Sequence, residues 1–142
     1  MLFGEYHHQI DEKGRVRIPP RLKKGLGDDF LVTKGTHGCL FLFSKKHLEE
    51  KLFEKLEAVP TFDDDAAKPL RMLFSSAAEL EEDNQGRCLL PRNLREFAKV
   101  KKDVVFIGVG TRAEVWAREE YDKYIGATDF DKAVFDLKRY GV

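Results

Sequence analysis

Two similar β-rich halves folded together as one α+β unit are what this sequence of 142 residues predicts. Three observations lead there. A phrase is written twice, "DEKGRVRIPPRL" from Asp11 and "DNQGRCLLPRNL" from Asp83, and an internal repeat is the first thing to look for in a chain. Asp11, Gly14, Arg15, Pro19 and Leu22 meet Asp83, Gly86, Arg87, Pro91 and Leu94, and Ile18 meets the similar Leu90. After each phrase, runs rich in aromatic and β-branched residues return in the same order. Finally, each half has only about 70 residues, a size at which one core is marginal alone and strand edges stay exposed. Pairing the halves removes both problems.

The elements follow in order. "EYHHQID" and "SAAELEED" lead into the two phrases as strands. D-E-K-G and D-N-Q-G suit tight reversals, because Asp bonds nearby backbone amides and Gly accepts positive φ, so each phrase predicts a hairpin. Beyond the glycine, Val16 and Ile18 share one face of the strand while Arg15 and Arg17 share the other. Pro19 and Pro20 end that strand and suit the first turn of a short helix, "PRLKKGL"; "PRNLREFA" repeats the arrangement. "DDFLVTKG" and "CLFLF" form a strand pair across Gly35–Gly38. Ser44 is placed to cap "KKHLEEKLFEKLEAV", where Leu48, Leu52, Leu56 and Val59 recur at helical spacing.

With two extra residues allowed in the second half, Asp29 aligns with Asp103, Leu42 with Trp116 and Ser44 with Arg118. "AVPTFDDDAAKP" has proline at both ends and an acidic centre and reads as a connection, not a core element. "ATDFDKAVFDLKRYGV" predicts a C-terminal helix. The expected organisation is a first repeat over 1–60, a connecting segment over 61–73, a second repeat over 74–126 and a helical tail over 127–142.

Composition narrows the function. With 42% apolar and 35% charged residues the chain has the balance of a globular protein. No apolar run of about 18 residues is present, and "LFGEYHHQI" lacks the features of a secretory signal; a cytosolic protein is expected. Cys39 and Cys88 are too few for a disulfide framework, and each sits in an apolar run that suits a reduced core thiol. Formal net charge is zero, yet residues 11–24 and residues 83–102 each hold six basic against two acidic side chains, a local +4. Such windows can present positive surface on a neutral protein, or simply solvated charge.

Catalytic signatures are missing: there is no H-E-x-x-H, no phosphate-cradling glycine loop and no nucleophile elbow. His7 and His8 are adjacent on a strand and face opposite ways, a poor arrangement for sharing a metal. A non-enzyme with no cofactor, metal or small-molecule substrate is expected.

The doubled D-x-x-G-R, each followed by an apolar pair and proline, together with "GCLFLF" and "RAEVWA", resembles the MraZ family of bacterial regulators over nearly the whole chain. The resemblance implies two intertwined halves related to the swapped-hairpin barrel of AbrB-like regulators, and subunits assembled into closed rings. It further implies a nucleoid-associated transcriptional regulator. Such a protein binds double-stranded DNA at tandem promoter repeats upstream of the division and cell-wall gene cluster, which includes its own gene. The family's D-x-x-x-R element falls on Asp11 with Arg15 and on Asp83 with Arg87.

The chemistry of the phrase fits that role. A guanidinium beside a turn can donate two hydrogen bonds to guanine O6 and N7, worth about 1–3 kcal/mol against the wrong base, which makes Arg15 the candidate reader. Lys13 and Arg17 suit phosphate, which supplies affinity and register without sequence information. Asp11, Gly14, Asp83 and Gly86 shape the turns. The second copy offers Asn84 and Gln85 at its turn and Leu89 where the first has Arg17, so Arg87 is expected as a supporting contact, the alternative being a structural second copy. Two other readings stay open: the arginines merely pin the hairpins through their aspartates, or the protein is an oligomeric scaffold that binds other proteins without reading bases.

Overall fold

Prolines and turn residues divide the chain where local chemistry demands it, and the computed structural model, which describes residues 1–142, shows what lies between. The first half contains β1 (Leu2–Gln9), β2 (Arg15–Arg17), α1 (Pro20–Leu26), β3 (Phe30–Lys34) and β4 (Leu40–Ser44). A helical stretch follows in three parts: α2 (Lys45–His47), a π-helical segment Leu48–Leu52 and α3 (Phe53–Glu57). Then come α4 (Asp64–Ser75), β5 (Ala78–Glu79), β6 (Arg87–Leu89), α5 (Arg92–Phe97), β7 (Asp103–Gly110), β8 (Ala113–Ala117) and α6 (Arg118–Gly126). The chain closes with α7 (Phe130–Phe135) and a 3-10 turn at Asp136–Tyr140.

Helix starts follow their local signals. Pro19 and Pro91 stand at the N-caps of α1 and α5, where a fixed φ suits helix entry. Ser44 Oγ accepts the amide of His47 at 3.3 Å, closing the first turn of α2.

Six strands form one antiparallel sheet in the order β1-β7-β8-β4-β3-β5, and β2 pairs with β6 in a separate two-stranded ribbon. Both sheets therefore mix strands from the two halves. The hairpins expected around the repeated phrase are corrected by this pairing. Each turn closes, but β1 leaves to pair with β7 along its whole length, and β2 turns to β6. In the second copy only the bridge between Glu82 and Cys88 survives of the hairpin, and "SAAELEED" contributes a strand of just Ala78–Glu79. Burial of distant apolar faces overrides the local partner.

One face of the large sheet packs against the ribbon, α1 and α5. Val16, Ile18, Leu22, Phe30, Val32, Leu42, Leu90, Leu94, Phe106 and Val115 are all buried in that single core. Truncating a fully buried leucine such as Leu22 or Leu94 to alanine would cost about 2–5 kcal/mol. The opposite face holds a smaller cluster of Cys39, Val105 and Trp116 beside Phe41, Ile107 and Tyr121. Glu114 is buried there and fully engaged, accepting from Arg112 at 2.7 and 2.9 Å and from Trp116 Nε1 at 3.1 Å. On the same side Leu48, Leu52 and Leu56 line an apolar groove with Leu31, Phe43, Leu70 and Phe74.

Two further expectations are corrected. The alignment of Leu42 with Trp116 and of Ser44 with Arg118 is off by one residue. Leu42 shares its core with Val115, whereas Trp116 faces the other way, and the helix start at Ser44 corresponds to Ala117. The β3–β4 turn closes from Gly35 to Cys39, while the β7–β8 turn closes from Val109 to Arg112 and is one residue shorter. A slip of one residue exchanges the faces of a strand. The segment read as a plain connection instead folds into α4, with Asp63 Oδ1 accepting the amide of Asp65 at 3.0 Å and with Asp64 and Asp65 favourably placed in the first turn. Ala67 is buried, and Thr33 Oγ1 donates to the carbonyl of Leu73, tying α4 to β3.

Candidate nucleic-acid interface

The two turns are built by the same bonds. In the first, the amide of Asp11 donates to the carbonyl of Arg15 at 2.9 Å, and the amide of Gly14 donates to that of Asp11 at 3.0 Å. Asp11 Oδ1 accepts the amides of Lys13 and Arg15 at 2.9 and 2.8 Å, while Oδ2 accepts Arg15 Nε at 2.9 Å. The second turn repeats this: Asp83 Oδ1 accepts Gln85 and Arg87 amides at 2.8 and 2.9 Å, and Oδ2 accepts Arg87 Nε at 3.2 Å. Gly14 and Gly86 have φ of 86° and 74°, as the sequence requires of them. Both carboxyls sit below the usual aspartate range, chiefly because of the Arg15 amide at Asp11 and the Arg87 amide at Asp83, with the guanidinium adding to each.

The ribbon then brings the copies together. Arg15 pairs with Leu89, Val16 with Cys88 and Arg17 with Arg87. Val16 is opposite its own counterpart in the repeat, so the ribbon has an approximate two-fold axis at that pair. Val16 and Cys88 face inward and are fully buried. Arg15, Arg17, Arg87 and Leu89 share the outer face, where Leu89 is 56% exposed. Arg87 Nη1 reaches to 3.7 Å from Asp11 Oδ2, so Asp11 serves two guanidiniums and Asp83 one. The hydrogen bond from Nε leaves the terminal nitrogens of Arg15 free to donate elsewhere.

The surroundings of the turns differ. A Cβ on Gly14 would lie 2.5 Å from Arg95 Cζ, so the Arg95 guanidinium covers the first turn, where its Nε donates to the carbonyl of Leu90 at 2.9 Å. Next to it, the amide of Ile10 donates to the carbonyl of Lys102 at 2.8 Å. A Cβ on Gly86 would meet only Arg17 Nη1, at 3.3 Å. Beside the second turn Lys23 is engaged by Glu82 at 2.7 Å and Asp28 at 3.9 Å, and the bond to Glu82 is the main reason its pKa is raised.

Of the residues singled out from sequence, Asp11, Gly14, Arg15, Arg17, Asp83, Gly86 and Arg87 come together on and around this ribbon, with Lys13 exposed at the first turn. The two +4 windows do not stay with their own turns. Arg95 and Lys102, counted with the second phrase, lie against the first turn, and Lys23 of the first window lies by the second. Only the pairing of β1 with β7 and β2 with β6 brings them there. The run "KVKK" at Lys99–Lys102, opposite "GDD" at Gly27–Asp29, is the one sequence signal of that difference.

Other reactive groups lie elsewhere. His7 Nε2 is 2.8 Å from Glu5, while His8 lies on the opposite face with its ring edge-on to Phe106 at 5.6 Å; burial depresses its pKa. Burial pushes the Cys39 thiol up to about 12 and that of Cys88 to about 11, and both are free thiols. No helix is long and apolar enough to cross a membrane. An exposed ribbon face with three guanidiniums is a donor surface suited to phosphates and purine edges.

Comparison with known proteins identifies the relatives of the chain. A family profile described as "MraZ protein, putative antitoxin-like" matches twice, over residues 1–72 and 73–134. A protein of Caldanaerobacter subterraneus subsp. tengcongensis called "Transcriptional regulator MraZ" is 46% identical over 144 residues, spanning 100% of both chains. Proteins of the same name from Desulforamulus reducens and Heliobacterium modesticaldum are 48% and 50% identical over 124 residues, with 87% of this chain and 87% and 86% of theirs covered.

Proposed function

The chain belongs to the MraZ family, and from that premise we propose that it is a transcriptional regulator which binds double-stranded DNA through the outer face of the β2–β6 ribbon. The observation that carries this reading is the convergence of exposed Arg17 and half-buried Arg15 and Arg87 on the outer face of the ribbon, with Arg15 steadied by Asp11. The major groove, about 12 Å wide, admits a two-stranded ribbon. Arg15 offers its terminal nitrogens to guanine O6 and N7, Lys13 and Arg17 hold phosphate, and Arg87 supports Asp11 and the ribbon centre. Leu89, exposed opposite Arg15, is available for a thymine methyl or a neighbouring subunit.

The finer reading follows the family. The interleaved strands are a swapped-hairpin pseudo-dimer, and subunits close into a ring that engages tandem promoter repeats of the division and cell-wall cluster. The work is non-enzymatic and is done in the cytoplasm at the nucleoid. Exposed Phe130, Val134 and Phe135 on α7 offer apolar surface for subunit contacts.

The test is fluorescence anisotropy on duplexes from upstream of the protein's own gene and on scrambled controls, with light scattering for mass. Arg15→Ala should lower cognate affinity at least tenfold, erase most of the preference over scrambled DNA and leave melting temperature and mass unchanged. Normal cognate binding by Arg15→Ala, or loss only through melting or dissociation, would transfer the assignment to the protein-binding scaffold.

A further inference from the structure

The ribbon is nearly two-fold symmetric, but the loops at its two ends are not. Positive φ follows both short helices: Gly27 at the C-cap of α1 has φ 82°, and Lys99, one residue past the C-cap of α5, has φ 57°. Glycine adopts this conformation freely, whereas a lysine is strained there. The loop after Lys99 runs Val100-Lys101-Lys102 and is tied to the first turn by the Lys102–Ile10 backbone bond, with Arg95 packed on Gly14. Lys99, Lys101 and Lys102 are exposed and form no ion pair, whereas Arg92 on α5 is held by Glu96 at 3.0 Å. The corresponding loop after Gly27 is Asp28-Asp29, and Lys23 there is neutralised by Asp28 and Glu82. The loop at the first turn therefore carries three lysines without an ion pair, above a depression that also holds Asp103, Glu119, Glu120 and Asp122, whereas the loop by the second turn carries Asp28 and Asp29 beside Lys24.

We propose that Arg95, Lys99, Lys101 and Lys102 form a second, sequence-independent phosphate-binding ledge that seats the first turn against the DNA backbone and reinforces a single direction of the ribbon on its site. This rests on the reading of the ribbon as a DNA-contacting surface. The ribbon's backbone is nearly two-fold and its outer face differs where Arg17 is replaced by Leu89, so the ledge adds to a direction the side chains only begin to set. The ledge attracts the phosphate chain at one end, whereas at the other Lys23 is already held by Glu82 and Asp28 beside Asp29 and offers phosphate little, so identical subunits all lie the same way on direct repeats. The strained lysine at position 99 keeps a cation where the other half has none.

The triple variant Lys99→Gln, Lys101→Gln, Lys102→Gln tests the ledge in the full chain. Its matched control is Lys51→Gln, Lys55→Gln, Lys68→Gln, which removes the same charge from exposed positions on the helices across the sheet. Affinity for the upstream duplex is measured as a function of salt. Each lost phosphate contact flattens the slope of log affinity against log salt by roughly 0.9, so the ledge variant should lose roughly 2–3 of slope, and the control should match the unaltered chain. The ratio of cognate to scrambled affinity should hold, since these contacts carry no base information. Hydroxyl-radical footprints on one repeat should be skewed to one side for the unaltered chain and distinctly less skewed for the ledge variant. An unchanged slope, an equal loss in the control, or an unchanged skew would overturn the proposal while leaving base reading by Arg15 intact. Failure of the unaltered chain to bind the duplex at all would remove the premise and the ledge together.

Discussion

The turn at Asp11–Gly14 and the turn at Asp83–Gly86 share a backbone, a set of aspartate-to-amide bonds and an arginine at the fifth position, yet they meet different neighbours. Arg95 and the Lys99–Lys102 loop lie against the first, whereas Lys23, held between Glu82 and Asp28, lies by the second. The repeated phrase builds the turn, and residues contributed by the other half of the chain determine what that turn can approach. The repeat supplies two similar turns, and differences both within the phrase, such as Arg17 against Leu89, and outside it make their surroundings unequal.

The sharpest way to break this comparison is to add a methyl group to each turn glycine. Gly14→Ala and Gly86→Ala both place a side chain at positive φ, a conformation costing about 1–2 kcal/mol. At Gly14 the new Cβ would also collide with the Arg95 guanidinium and displace it from the Leu90 carbonyl, adding about 1 kcal/mol. Urea unfolding should therefore show a loss of about 2–3 kcal/mol for Gly14→Ala against about 1–2 for Gly86→Ala. Equal losses would mean that Arg95 is not seated on the first turn.

A smaller effect of opposite sign is expected where positive φ follows α5. Lys99→Gly relieves the strain at φ 57°, less the extra freedom glycine gains when unfolded, and should stabilise the protein by about 0.5–1 kcal/mol in thermal melting. The same variant should bind DNA more weakly. Stabilisation with undiminished binding would show that Lys99 is strained without serving the interface.

The smallest difference concerns acid. Asp11→Asn and Asp83→Asn keep an oxygen that accepts the turn amides but remove the charge. Both native carboxyls are depressed in the folded state, so their contribution is complete above the ordinary unfolded aspartate value and is lost as pH falls through the lower folded values. Melting followed from neutral pH to about pH 3 should show a shallower acid decline in both variants. Asp11→Asn should be the shallower, because Arg15 and Arg87 both face that carboxylate. These pairs are solvent-screened, and a larger effect at Asp83 would reverse the ranking of the two turns.

What could be read from the sequence alone were the features made by bonds between near neighbours. Asp11 and Asp83 bond amides two and four residues on, Gly14 and Gly86 take up positive φ, Pro19 and Pro91 begin helices, and Ser44 caps the next helix. The alternation that buries Val16 and exposes Arg17 is equally local, and the doubled phrase pointed to the family without any coordinates. Partners of the strands were not legible. β1 and β2 leave the local hairpin for β7 and β6 because burying apolar faces from opposite ends of the chain stabilises more than a short hairpin could. The β7–β8 turn is one residue shorter than its counterpart, a difference seen only in which core Trp116 and Val115 enter. α4 was hidden because Pro69 and three aspartates resemble a loop, while its partner on β3, Thr33 against Leu73, lies 40 residues away in the chain. For the same reason the lysines of residues 99–102 join the first turn instead of their own: charge can be counted along the sequence, but only the tertiary pairing of strands decides which charges share a surface.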